Sequence, residues 1–409
     1  MKLSNSKDIY IVMEFSAGEK TVESESIPTT HPIVNEGASV ASVIASQTWT
    51  RKLKCVDPEC ALNHAGGGKH EWDLTEESSK DVDNLNEEYK APAERIVTPL
   101  DVLDSAPSKG EVSIYIVGTR GTKVTLIAGL EYLSDSLEEL VLRSNLIATM
   151  EGVQALEKLT KLELYDNQLE EITHLDSLSR LVILDMSYNS IRSMASVASC
   201  PLLEELYLAQ NKLKTIEGIR GMKHLRCLDL GANRIRSMAG VGLDTLTGLQ
   251  SLWLGKNKID RIEDINHLPL LRQLDIQNNR LTTLMSDTAD CDSAGIASLT
   301  SLKELYLACN AISNVRGLPA GSPLGTLDLS TNAIDTLDGI EVHKALIELW
   351  MTASKLSNFD ELVPLKALPE LECLYLEHSP LASDFEYRIK ITSMLPTLQQ
   401  LDATAVTRY

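Results

Sequence analysis

The chain has 409 residues, 43% of them hydrophobic but only 4% aromatic, and a formal net charge of -20. It can therefore build a large aliphatic core, while so acidic a surface argues against nucleic acid, whose binding rests on Lys and Arg displacing counterions. An anionic membrane is disfavoured for the same reason, which leaves a basic protein as the partner such a field attracts. The seven cysteines, Cys55, Cys60, Cys200, Cys227, Cys291, Cys309 and Cys373, are odd in number and scattered. Met1 to Glu19 carry charges throughout and no apolar h-region. No run of about 18 apolar residues is available to span a bilayer. These features imply a reducing compartment, nucleus or cytoplasm.

Residues 1 to about 110 show no sustained hydrophobic period and are rich in Ser, Glu, Asp, Lys and Pro, as in Glu76-Glu77-Ser78-Ser79-Lys80-Asp81. They read as a largely disordered acidic and polar extension. Two motifs within it carry little. Cys55-x4-Cys60-x3-His64, with His70 beyond, lacks a standard zinc spacing, so no metal or cofactor is expected. Gly66-Gly67-Gly68-Lys69 is followed by His70 and preceded by no strand pattern, so it is not a phosphate-binding loop.

From about residue 111 a repeat of the form L-x-x-L-x-L-x-x-N-x-[L/I] takes over. A degenerate copy has Ile114, Val117, Val124 and Ile127 in its apolar slots. The first clear copy is Leu137, Leu140, Leu142, Asn145 and Ile147. Asparagines then recur at Asn167, Asn189, Asn211, Asn233, Asn257, Asn279, Asn310 and Asn332, 22 residues apart save one interval of 24 and one of 31. Met285 to Leu299 account for the long interval and read as a loop insertion. Two further copies carry Ser354 and Ser379 in the asparagine slot. The period and pattern are those of leucine-rich repeats. They predict an α/β solenoid over 111–381, a horseshoe with a parallel concave sheet and short 3-10 or helical turns on the convex side. Each x-L-x-L stretch is a strand whose leucines point inward. Each asparagine turns in at the bend to satisfy backbone groups of neighbouring turns. Gly152, Gly218, Gly240, Gly317 and Gly339 suit tight convex turns.

Residues 382–409 read as a C-terminal cap. Ser383-Asp384-Phe385-Glu386 has the form of a capping box, with Ser383 as N-cap. Tyr387, Ile391, Met394 and Leu395 make one apolar helix face that seals the core, and Pro396 ends the helix.

The slot between the last two strand leucines points outward on the concave side. It runs Val141, Glu163, Asp185, Tyr207, Asp229, Trp253, Asp275, Tyr306, Asp328, Trp350, Tyr375 and Asp402. After the first position every member is acidic or aromatic, and the column one pleat earlier adds Glu139, Glu205, Glu304 and Glu348. Both tryptophans of the repeat region, Trp253 and Trp350, fall in this slot, where they are expected to stand exposed and apart from the core. Large aromatics beside carboxylates have the composition of a binding hot spot, suited to a partner that offers Lys or Arg and apolar pockets. No nucleophile, base and orienting group can be assembled, since no cleft is implied; His378 near Glu377 and Asp384 reads as a surface cluster. The chain is expected to be a non-catalytic interaction scaffold.

Several stretches resemble the leucine-rich-repeat regulatory subunits of protein phosphatase 1, the regulatory subunit 7 type. They are Leu162-Glu-Leu-Tyr-Asp-Asn167, Leu184-Asp-Met-Ser-Tyr-Asn189, Leu254-Gly-Lys-Asn-Lys-Ile259, Trp350-Met351, and Tyr375 to Asp384 with Tyr387-Arg388, Leu395-Pro396 and Leu401 to Thr404. The resemblance spans about residues 111–409. It implies that the concave face grips the phosphatase catalytic subunit and controls its maturation, activity or placement. It implies contacts from Asp185, Tyr207, Asp229, Trp253, Asp328, Glu348, Trp350 and Tyr375, with a phosphatase inhibitor protein as a further partner and the free chain a monomer. Tyr207 and Trp253 stand where that family carries phenylalanine, and Asp229 where it carries glutamate. The repeats by themselves also fit a scaffold for another basic protein, of axonemal or splicing-associated type.

Overall fold

The computed structural model describes residues 96–285 and 295–407. Among them, strands form one 14-stranded sheet in chain order, parallel except for its last pair. In sequence they are β1 (Ser113–Val117), β2 (Glu139–Arg143), β3 (Lys161–Glu163), β4 (Ile183–Asp185), β5 (Glu205–Tyr207), β6 (Cys227–Asp229) and β7 (Ser251–Trp253). There follow β8 (Gln273–Asp275), β9 (Glu304–Tyr306), β10 (Thr326–Asp328), β11 (Glu348–Trp350), β12 (Cys373–Tyr375), β13 (Gln400–Leu401) and β14 (Thr404–Ala405). The sheet is open and its strands follow one per repeat, so the fold is a leucine-rich-repeat solenoid. No helix of the described residues is long and apolar enough to cross a membrane.

The repeat explains the architecture. A strand of about three residues cannot bury a hydrophobic face by itself, so each unit depends on its neighbours. Leu140 and Leu142, Leu206 and Leu208, and Leu327 and Leu329 are fully buried, as period-2 alternation requires. On the convex side Leu156, Leu178, Cys200, Met222, Leu246 and Leu268 occupy one equivalent slot and join the same continuous core. Short 3-10 segments such as Val153–Ala155, Leu175–Ser177 and Ala195–Ser199 close that side. Gly152 shows why some of these turns need glycine: its φ is 103°, and a Cβ there would lie 1.7 Å from the Ile127 carbonyl oxygen.

The asparagines stitch one repeat to the one before. Asn233 Nδ2 donates to the carbonyls of Leu208 (2.9 Å) and Leu230 (3.0 Å), and its Oδ1 accepts from the Leu213 N–H (3.0 Å). The residue just before each asparagine is held in the left-handed region, from Ser144 (φ 55°) to Thr331 (φ 56°). The serine copies keep the bend: Ala353 and His378 have φ 57° and 65°. Ser354 and Ser379, too short to reach the neighbouring carbonyls, bond each other across the two repeats at 2.8 Å.

Three expectations about the ends and the insertion are corrected. Residues 96–110, assigned to the extension from sequence, are part of the solenoid unit. The Val97 carbonyl accepts from the Thr125 N–H at 2.8 Å, α1 (Pro99–Val102) follows, and Leu100, Val102 and Leu103 pack on the core. Too few apolar residues are involved to show a period. In β1 the inward pair is Ile114 and Ile116, while Val117 is exposed, because alternate residues share a face. Ile296 and Leu299, placed in the insertion, fill core slots of the repeat.

At the other end, the cap helix α2 (Tyr387–Met394) begins later than the expected capping box. Ser383 sits in a preceding 3-10 turn, Pro380–Ser383, and its hydroxyl donates to the Pro380 carbonyl at 2.7 Å. The residue before the helix, Glu386, has no side-chain cap, and its own N–H donates to the Asp384 carboxylate at 2.7 Å. The helix still seals the core, with Ile391 and Leu395 buried and Tyr387 and Met394 packed on it. The extension, its zinc candidate and its glycine run lie outside the described residues.

Candidate functional site

The register of the strands aligns the concave slot into a ladder. Val141, Glu163, Asp185, Tyr207, Asp229, Trp253, Asp275, Tyr306, Asp328, Trp350 and Tyr375 are successive partners from β2 to β12. Neighbouring strands lie about 4.8 Å apart, so these side chains touch. Of the eight residues implied by the resemblance, Asp185, Tyr207, Asp229 and Trp253 occupy consecutive rungs. Asp328, Trp350 and Tyr375 occupy three more, with Glu348 one pleat before Trp350. Asp275 and Tyr306 lie between the two groups.

The ladder is not the exposed column expected from sequence. Glu163, Asp275 and Asp328 are buried, and the other rungs from Asp185 to Tyr375 are half-buried. The reason is lateral packing: an inward-curving face crowds side chains that a flat strand would leave in water. Trp350 lies between aromatic neighbours, its ring centroid 6.5 Å from that of Tyr306 and 6.1 Å from that of Tyr375. Its indole nitrogen is buried. The tryptophan is thus part of the packed face as well as of its surface.

The carboxylates divide into two kinds. Glu163 is neutralised, 2.6 Å from Arg143 and 2.9 Å from Lys161. Asp185, Asp229, Asp275 and Asp328 form no ion pair among the described residues. Each accepts instead from the backbone N–H two residues on, at Ser187 (2.9 Å), Gly231 (2.8 Å), Gln277 (2.9 Å) and Ser330 (2.9 Å). Burial pushes all four up from the ordinary carboxylate range, Asp229 and Asp275 to about 6. Repulsion between Asp229 and both Asp185 and Asp275 adds to the rise. In the second column Tyr207 donates to Glu205 (2.9 Å) and Tyr306 to Glu304 (3.1 Å). Desolvation and the nearby Glu304 raise Glu348.

Together these features make a row of desolvated negative charges separated by aromatic faces. A cation placed there gains from a field that water no longer screens and can stack on the rings. Asp402, read from sequence as the last member, instead ties down the cap: it accepts from the Leu376 and Glu377 N–H groups (2.8 and 3.0 Å) and from the Tyr387 hydroxyl (3.0 Å). Sequence reading missed Tyr115, the rung before Val141, which is half exposed and bonds Glu139. Its signal was the slot between Ile114 and Ile116, hidden by counting Val117 as the inward residue. Among the described residues, no group of three or more His, Cys, Asp or Glu is placed to hold a metal ion.

Comparison with known proteins agrees with this architecture. Residues 223–281 match the family model "Leucine rich repeat", and residues 201–242 match "Leucine Rich repeats (2 copies)". No curated protein matches the chain by sequence. Among solved structures, an internalin from Listeria monocytogenes is similar at 22% identity and a TM-score of 0.58, over 78% of this chain and 92% of that one. A leucine-rich-repeat protein of Leptospira interrogans is similar at 23% identity and 0.55, over 68% and 76%. A plant peptide hormone receptor, solved with its hormone RGF2, is similar at 24% and 0.54, over 65% of this chain and 44% of the receptor. At such identities the likeness is one of fold.

Proposed function

We propose that the chain is a non-catalytic regulatory scaffold that holds the catalytic subunit of protein phosphatase 1 in its concave face and controls its maturation, activity or placement. One observation carries the reading: the in-register alternation of unpaired carboxylates and aromatics from Asp185 to Trp350, with Tyr375 as a further aromatic beyond. Hot spots combine aromatic anchors with groups that leave water on binding, and this ladder has both, preformed on a rigid sheet. The sequence resemblance over the repeats and the cap supplies the identity of the partner. In this reading Lys and Arg of the phosphatase meet Asp185, Asp229, Asp328 and Glu348, while Tyr207, Trp253, Trp350 and Tyr375 contact apolar surface. The complex resides in nucleus and cytoplasm.

The cleanest test uses Glu348. Its carboxylate is half-buried and makes no hydrogen bond or ion pair among the described residues, so Glu348→Lys leaves the sheet's bonding intact while reversing one charge in the ladder. Titration of purified phosphatase catalytic subunit should show affinity lowered about tenfold or more, with an unchanged melting temperature. Wild-type affinity in this variant, or no binding by the wild-type chain, would rule the reading out.

A further inference from the structure

A second charged surface lies on the same repeats and has the opposite sign. Immediately after the asparagine turn the chain alternates about a buried residue: Lys212 and Lys214 flank Leu213, Arg234 and Arg236 flank Ile235, and Lys258 precedes Ile259. The leucine and isoleucines point into the core, so their neighbours must point out. The backbone keeps these units in step. The N–H groups of Lys212, Arg234, Lys258 and Arg280 each bond the carbonyl of the buried residue one repeat back, at 2.8 Å. Four consecutive repeats thus stack four cations in one file, with Arg192, Lys214 and Arg236 in the file beside it, which ends at the exposed Asp260. In a chain of net charge -20 this concentration stands apart.

The stripe also contains a cavity of about 580 Å³, lined by Lys214, Arg234, Arg236 and Lys258 and by the hydroxyl-bearing Thr215 and Ser237. None of these four cations makes an ion pair or a side-chain hydrogen bond among the described residues. Arg192, at the edge, meets Glu170 at 3.7 Å. Four uncompensated positive charges around one cavity are stable only because solvent covers them, and an anion that brings its own charge would replace that solvent.

We propose that this stripe binds a phosphorylated, extended segment of a protein partner. A single carboxylate leaves most of four cations unmatched, whereas a phosphate ester brings nearly two charges and three acceptor oxygens to donors that converge. The file of Lys212, Arg234, Lys258 and Arg280 continues past the cavity and provides for further anionic groups along an extended chain. Nucleic acid fits less well: no aromatic side chain lines the cavity to stack on a base, and the chain's net charge opposes a long polyanion. The site is separate from the concave ladder and does not depend on its reading.

The experiment is fluorescence anisotropy on the full chain with a labelled peptide of alternating phosphoserine and alanine. Parallel arms use the same peptide with glutamate at each phosphoserine, the unphosphorylated serine peptide, and a single-stranded oligouridylate. The phosphopeptide should bind with a marked dependence on ionic strength, and at least about tenfold more tightly than the other three. The double variant Arg234→Glu/Arg236→Glu should lose at least that factor, while Arg316→Glu, the same type of charge reversal on an exposed residue outside the stripe, and Glu348→Lys on the concave face should retain it. Should the double variant melt early, Lys214→Gln/Lys258→Gln reads the same effect without reversing charge. Equal binding of the glutamate peptide or of oligouridylate, undiminished binding by both double variants, or no binding of phosphopeptide would each overturn the proposal.

Discussion

The concave ladder and the stripe behind the asparagine turns come from the same repeats, a few residues apart, yet they differ in sign and in contact with water. On the concave face, side chains at strand spacing pack against one another. Asp275 is only 5% exposed, and Trp350 is flanked by two tyrosines. Behind the turn, Lys214, Arg234 and Arg236 stand in solvent. A repeat protein can therefore carry two independent surfaces, one preformed and partly desolvated, the other solvated and dependent on charge. Substitutions of the packed rungs on the first, such as Trp350, should affect fold and binding together, whereas substitutions on the second, like that of the unbonded Glu348, should affect binding alone.

The largest effect should come from what both surfaces share. Asn233→Ala would leave the Leu213 N–H and the carbonyls of Leu208 and Leu230 without their side-chain partner inside the stack. A loss of about 3 kcal/mol is expected by chemical denaturation, since each buried group left unmatched costs about 1–3 kcal/mol. Both surfaces should weaken together; loss at one alone would show that the repeats are not mechanically continuous.

Trp350→Ala comes next. Truncating a central interface tryptophan typically costs about 2 kcal/mol or more, roughly thirtyfold in affinity. Because the ring packs on Tyr306 and Tyr375, the melting temperature should also fall. Phosphatase titration beside a melting curve checks both, and an unchanged melting temperature would mean that the half-buried ring contributes nothing to the fold.

The third prediction concerns pH. Asp229 and Asp275 are raised to about 6 by burial, above their value in the unfolded chain. Their protonated forms are favoured by folding, so this contribution is complete below about pH 4 and is lost as pH rises through about 6. Asp229→Asn keeps an acceptor for the Gly231 N–H and removes the charge. It should raise the melting temperature at about pH 7.5, with the gain vanishing near pH 4; a gain independent of pH would assign the effect to something other than ionisation. His343 acts in the opposite direction on the convex side. It occupies the slot held by Leu156, Cys200, Met222 and Leu246 in other repeats, with Nδ1 buried and without a hydrogen-bond partner, and burial lowers its pKa. The unfolded state then takes up the proton first, so stability falls as pH drops below about 6.5. His343→Leu should remove that acid sensitivity, read from melting curves between about pH 7 and 5.

The smallest effect should come from the basic stripe. Arg236→Glu breaks no described contact, and surface changes of this kind stay within about 0.5 kcal/mol. A clear fall in its melting temperature would erase the distinction between the two surfaces.

The repeat was legible in the sequence because it depends on local rules. The slots of Leu140, Leu142, Asn145 and Ile147 recur at fixed spacing, and alternation within a strand separates inward from outward residues without knowledge of the neighbours. For the same reason the membership of the concave ladder, from Glu163 to Tyr375, followed from counting. The basic file was equally countable, at the slots flanking Leu213 and Ile235, but net charge over the whole chain concealed it. Burial along the ladder was not legible. Whether Trp350 or Asp275 meets water depends on residues of the adjacent repeats, brought to about 4.8 Å by strand pairing, and on longer side chains reaching from the repeats beyond.

The ends tell the same story. Pro99–Val102 has too few apolar residues to announce a period, and only its packing under the first repeat shows that it belongs to the solenoid. Ser383 was the cap expected from sequence, but the 3-10 turn at Pro380–Ser383 occupies its hydroxyl and the helix starts only at Tyr387. Sequence by itself determined the repeat, its period, the inward and outward slots and the charge of each column, because these depend on neighbours along the chain. Tertiary structure decided which outward slots stay wet, which carboxylates titrate near neutrality, and where the stack is closed, because those depend on distances between residues that the chain separates by a full turn or more.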